Sequence, residues 1–308
     1  MLYAHAMSLI HFVLAMVLWS LGVALISGTS QAWFVDELSV QGKDEARKIV
    51  IPIVQTLALI VGAAAALAST WLVMKSIVWP LRVGGWTSII TGISILFLLR
   101  ENYGEKSRSI KEALWKNAKD FMQHPFLRMV LLKSASGGIM FRIFVLSWQL
   151  YMIQALRLPE SFLGAALTMM VLSLAGGNTL ATILMRRIHP IKVSVIGLVG
   201  VTMGLLMIGI WPNIWPFAAG VVLLELGLGI EQGAFYVWVH DFIPNKQRAS
   251  FISAISSVES LMGFMVPIII GLFIENVGFQ PTWFFAALSA GLTAGLVMAI
   301  ANMKSKEE

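Results

Sequence analysis

Two stretches of this chain decide its architecture: LGVALISGTSQAWFVD at Leu21–Asp36 and LGLGIEQGAFYVWVHD at Leu226–Asp241. They align without a gap. Leu21, Gly22, Gly28, Trp33 and Asp36 match Leu226, Gly227, Gly233, Trp238 and Asp241, each displaced by 205 positions. Beyond them Arg47 and Gly62 pair with Arg248 and Gly263, after a shorter loop. Both stretches are apolar overall, yet both carry Gly and Gln and end in Asp. A segment of this kind, met twice, is the mark of an internal repeat of helices that line a shared interior.

Composition sets the solvent. The chain is 58% hydrophobic and 12% charged, with a mean hydropathy of +0.82; soluble domains are nearer half apolar and a quarter charged. An integral all-α membrane protein follows. There is no cysteine, hence no disulfide framework and no thiolate metal site. The five histidines are scattered without ligand spacing. No Walker A loop and no G-x-S-x-G elbow occur, and the mid-span GGNT at Gly176 is a packing or cavity feature rather than a phosphate loop. No enzyme and no cofactor is expected.

A bilayer core takes about 20 apolar residues as a helix. Nine runs qualify: 8–35, 49–74, 78–99, 129–153, 162–185, 193–211, 215–239, 249–274 and 283–303. The first lacks a basic leader and is too long for a signal peptide. Alternate threading puts 17 of the 22 Lys and Arg residues on one side, 3 on the other, and Lys133 and Arg142 within a span. The rich side is cytoplasmic by the positive-inside rule, so the C-terminus is inside and the excess of +6 serves orientation rather than nucleic-acid binding. Residues 1–99 form a bundle of three spans, 100–125 a cytoplasmic linker, and 126–308 a bundle of six. In the linker, Ser109 to Glu112 reads as a capping box that opens a basic amphipathic surface helix.

The pattern G-x-A-L-x-S-G-T-x-x-A-W-x-x-D, here Gly22, Ala24, Leu25, Ser27, Gly28, Thr29, Ala32, Trp33 and Asp36, resembles the fourth helix of drug-efflux-like permeases of the major facilitator superfamily. The basic turn MRRIHPIK at 185–192 also stands where that family has one. The resemblance covers essentially the whole chain as family helices four to twelve. It implies an MFS-type fold with nine transmembrane helices, an incomplete N-terminal bundle and a complete C-terminal one. Six helices per repeat place roughly 80–100 further residues upstream. N-terminal truncation is the expectation; the alternative is a short transporter that completes its pathway as a homodimer. The function implied is proton-coupled efflux of a small organic compound across the plasma membrane by alternating access. Nutrient import and a non-transporting structural or receptor-like membrane module stand as alternatives.

An ionisable residue inside the hydrocarbon costs several kcal/mol, so each is a functional candidate. Four stand out: Arg142, Glu225, Glu231 and Glu259. At 1.5 Å per residue, Arg142 falls near the level of Glu225 and within reach of Glu231. The expectation is a cavity charge pair of Arg142 with one or both of these glutamates, a glutamate exchanging protons; the alternative is a fixed packing salt bridge. Lys133 is expected to snorkel to the cytoplasmic interface. Gln31, Gln149 and Asn178 are candidate cavity amides, although most such amides bond a neighbouring helix. Trp148, Tyr151, Tyr236 and Trp238 are candidates to stack a substrate. Trp79, Trp86, Trp211, Trp215 and Trp283 read as interface anchors. Asp36 and Asp241, each at a helix end and unfavourable to its dipole, are candidate gate residues with Arg47 and Arg248.

Overall fold

The computed structural model describes residues 2–26, 37, 41–42, 47–98, 125–240 and 248–304. The linker at 100–124 therefore lies outside the described residues, as do Gln31, Asp36 and Asp241 and the side chains of Arg47, Tyr236 and Arg248. Among the described residues there is no strand. The chain divides into two compact units, Met1–Ser107 and Arg108–Glu308.

The first unit holds α1 (Leu9–Ile26), α2 (Arg47–Lys75) and α3 (Val78–Leu98), preceded by a 3-10 turn at Leu2–His5. Among the described side chains of this unit, the buried apolar ones are Ala15, Ala63 and Ala66. Large side chains such as Ile60, Trp71, Ile90 and Phe97 face outward, as they do where lipid is the solvent.

The second unit holds α4 (Pro125–Leu150, continued by a π-helical turn at Tyr151–Ala155), α5 (Phe162–Leu184), α6 (Pro190–Ile210), α7 (Ile214–His240), α8 (Arg248–Val277) and α9 (Phe279–Lys304). Seven of the described helices are long and apolar enough to cross a membrane: the later part of α2, and α4 to α9. The six-helix bundle packs in a continuous order, with α7 between α5 and α6, α6 against α9, α9 against α4, and α4 against α8.

Glycines set the closest of these approaches. In lipid the drive for helix association is packing, and small residues let backbones meet. Gly220 and Gly227, seven residues apart and so on one stripe of α7, face Gly204 and Gly197 of α6. A Cβ added to Gly197 would stand 2.6 Å from the Gly227 carbonyl and 2.7 Å from the Glu231 nitrogen. On the opposite face of α7, Gly229 meets Gly177 of α5, and Gly233 meets Ala181 and Asn178. Gly227→Val is therefore expected to cost about 1–3 kcal/mol by overpacking. Its repeat counterpart Gly22 has nothing within 4 Å among the described residues, so Gly22→Val should change stability by less than about 0.5 kcal/mol. Unfolding midpoints in detergent compare the two.

Helix ends are set by local chemistry. Pro125 starts α4 at the one position where a missing N–H costs nothing, a turn before the run counted from apolar residues. His189 caps α6, its ring accepting from the Ile191 N–H at 3.3 Å, with Pro190 next. Gly278, at φ +87°, ends α8 and donates to the Ile274 carbonyl, a left-handed closure that glycine adopts without strain. α9 begins at the next residue, which places Trp283 inside the helix. The expectation that Trp283 is an interface anchor is corrected: it is fully buried. Trp79, Trp86, Trp211 and Trp215 are exposed, as anchors would be. Trp148, Tyr151 and Trp238, expected as stacking surfaces for a substrate, are instead core residues at 5%, 1% and 0% exposure. Tyr151 meets Trp283 and Phe279 edge-on at 5.5 Å each, and Phe217 also at 5.5 Å.

Candidate functional site

The site lies wholly within the second unit. A cavity of about 280 Å³ opens between α4, α7 and α8, closed behind by Leu198 of α6 and Thr293 of α9. It approaches the lower limit of pockets that hold organic ligands. Its wall is unusual for a hydrocarbon environment because four ionisable side chains reach it: Lys133 and Arg142 from α4, Glu231 from α7 and Glu259 from α8. Ser134 and Gln232 add neutral polar groups, and Phe141, Phe235 and Leu228 add apolar ones.

The central feature is an ion pair. Lys133 Nζ stands 2.6 Å from Glu231 Oε1, and both residues are 7% exposed. The ammonium also lies 3.6 Å from the centre of the Phe235 ring, a short cation–π contact that strengthens when desolvated. Helical spacing explains the arrangement: Glu231 and Phe235 are four apart on α7 and share a face. Lys133 is eight residues from the start of α4 and Glu231 nine from the end of α7. At 1.5 Å per residue both are about 12–14 Å inside the same end of the bundle. Glu231 Oε1 accepts no aligned hydrogen bond, so charge rather than bond geometry holds the pair. The snorkelling expected of Lys133 is thus corrected. The lysine lies two turns inside its helix, because Pro125 starts α4 early, and a buried carboxylate waits at its level.

Arg142 lines the same cavity but takes another position. Its guanidinium rests on α8 at Gly263, where an added Cβ would stand 3.2 Å from Nη2, and lies 5.7 Å from the Phe141 ring centre. Among the described residues it makes no ion pair, and Glu231 is held by Lys133 instead. Glu259, one helical turn before Gly263, is exposed to the cavity side and lies within electrostatic range of Lys133, Glu231 and Arg142. Glu225 is buried at 8% exposure on α7, is not part of the cavity wall, and has no partner among the described residues. Gln149 is exposed and off the cavity wall. Asn178 packs between helices, its Oδ1 3.3 Å from where a Cβ of Gly233 would be. The structure therefore brings together Arg142, Glu231 and Glu259, adds Lys133, and leaves Glu225, Gln149 and Asn178 outside.

One turn from Lys133, α4 is clamped to α9 by reciprocal serines. Ser136 Oγ donates to the Ser289 carbonyl at 2.9 Å, and Ser289 Oγ donates to the Ser136 carbonyl at 2.8 Å. The clamp fixes the rotation of α4 and so aims Lys133 and Arg142 into the cavity.

Among the described residues no cluster of His, Asp and Glu is arranged to hold a metal. No curated protein matches the chain. The family model described as Major Facilitator Superfamily matches residues 1–267 and, in a second match, 130–307. A chain whose described helices include seven long and apolar enough to cross a membrane, matched by that model over nearly its full length, is a multi-pass membrane transporter, and the chain belongs to the Major Facilitator Superfamily.

Proposed function

We propose that the protein is a proton-coupled secondary transporter that exports a small organic compound across the plasma membrane, with its C-terminus in the cytoplasm. The observation that carries this reading is the buried Lys133–Glu231 pair on the cavity wall. A structural salt bridge would serve as well away from the pocket; this one forms part of its lining beside two further charges. Protonation of Glu231 would cancel the attraction that holds the pair and leave the Lys133 ammonium on the Phe235 ring, free to turn into the cavity. A carboxylate that can be either paired or protonated is a means of linking proton movement to a change in cavity charge. Rocking of helix bundles around such a site is the motion expected of transporters built from repeats. Asp36 with Arg47, Asp241 with Arg248, and Gln31 belong to this proposal as cytoplasmic gate and cavity residues of the repeated helices.

The test is flux in proteoliposomes with a pH dye trapped inside. Addition of a transported solute is expected to drive proton movement, and Glu231→Gln is expected to abolish it while binding persists. Undiminished proton movement in Glu231→Gln would sink the coupling role. Inverting the pH gradient and the side of solute addition distinguishes export from import.

A further inference from the structure

We propose that the cavity accepts an organic anion, with the Arg142 guanidinium binding its carboxylate and Gly263 positioning that guanidinium. The inference rests on the reading of the cavity as the solute site, and names the class of solute. Of the four charges on the wall, Lys133 and Glu231 satisfy each other at 2.6 Å. Arg142 and Glu259 remain, neither in an ion pair among the described residues. These two are not equivalent. A carboxylate sheds its charge by taking up a proton, whereas a guanidinium keeps its charge at any pH the protein meets. The lasting unmatched charge is therefore positive. A cation within the hydrocarbon zone is costly until a group of opposite sign reaches it.

The geometry selects the form of the anion. The guanidinium lies flat along α8, with Nη2 at 3.2 Å and both Cζ and Nε at 3.3 Å from the position a Cβ of residue 263 would take. Only glycine leaves that place free. A planar fork held in this way offers two parallel N–H donors, the match for a carboxylate. Met140, Leu198, Leu228 and the rings of Phe141 and Phe235 make up the apolar part of the wall. They favour a carboxylate with a hydrophobic body over an inorganic anion.

Three ligands with one ring and different headgroups test this: benzoate, benzylamine and benzyl alcohol, titrated by calorimetry into the purified full chain in nanodiscs, with empty nanodiscs as baseline. Benzoate is expected to bind at least about tenfold tighter than the other two. Arg142→Gln should remove that preference, and Arg142→Lys, which keeps the charge but not the fork, should weaken it. Gly263→Ala should weaken benzoate by about tenfold. Gly271→Ala, on the same helix with open space around it, should leave it unchanged. Gel filtration confirms that each variant is folded, and Arg142→Lys reads the geometry should Arg142→Gln not fold. The proposal is overturned if benzylamine binds as tightly as benzoate, if none of the three binds, or if both Arg142 variants bind benzoate as tightly as the unaltered protein. Unchanged binding in Gly263→Ala removes the positioning role. Benzoate held through Arg142 without flux in proteoliposomes would instead refute the transport reading and leave this one intact.

Discussion

Lys133→Met is expected to destabilise the protein by about 3–5 kcal/mol, the cost of leaving one member of a buried pair alone. The methionine fills much the same volume and keeps contact with Phe235, so lost packing contributes little. What remains is the Glu231 carboxylate, 7% exposed, with no cation at 2.6 Å. The double variant Lys133→Met/Glu231→Met removes both charges and is expected to recover most of that loss, since a buried pair and a well-packed apolar replacement are often close in stability. Chemical unfolding of the two single variants and the double variant in detergent measures the coupling. Should the double variant be no more stable than Lys133→Met, the lysine would be acting through its packing and not through its charge.

Trp283→Ala is the second large effect, about 3–5 kcal/mol. The residue is fully buried: its ring meets Phe144 of α4 at 6.4 Å and Tyr151 in the π-helical turn that continues α4 at 5.5 Å, and its Cβ packs on the α6 backbone at Gly209, where an added Cβ would stand 3.2 Å away. The indole N–H has no hydrogen-bond partner among the described residues. Trp283→Phe therefore removes an unsatisfied donor along with some volume, and should cost clearly less than Trp283→Ala. Equal losses in the two variants would show that the N–H is satisfied after all.

The fold was readable because its signals are long. Each span is a run of some twenty apolar residues, which composition alone marks out. The errors arise within one helical turn of an end. Apolar counting began α4 at Met129, whereas Pro125 begins it; this put Lys133 near an interface and hid its shared level with Glu231. Counting likewise began α9 at Trp283, because the polar stretch ENVGFQPT at 275–282 reads as a loop, whereas all of it but Gly278 is helical. Arg142, Glu225, Glu231 and Glu259 stood out in the sequence as ionisable residues in hydrocarbon; that Glu225 lies off the cavity wall which the other three share was not legible. Which cation faces which carboxylate was not, because pairing depends on helix rotation. That rotation is set by features such as the Ser136–Ser289 clamp, where two serines 153 positions apart carry no recognisable pattern. The exclusion of Asn178 from the cavity has the same origin: its face of α5 is turned by Gly177 onto α7.

The turn at Gly278 also has a mechanical side. α8 is tied to α9 by a single residue at one end, and along its length it rests mainly on α4 and hardly on α9. Such a helix can tilt about the turn, with Pro267 in its interior as a second point of bending. Glu259 lies nineteen residues from Gly278, about 28 Å along the helix. A tilt of about 5° about the turn carries Glu259 through about 2.5 Å, while Phe279 and the aromatic cluster around Tyr151 stay in place. A displacement of that size changes the distance between the Glu259 carboxylate and the other charges of the cavity wall.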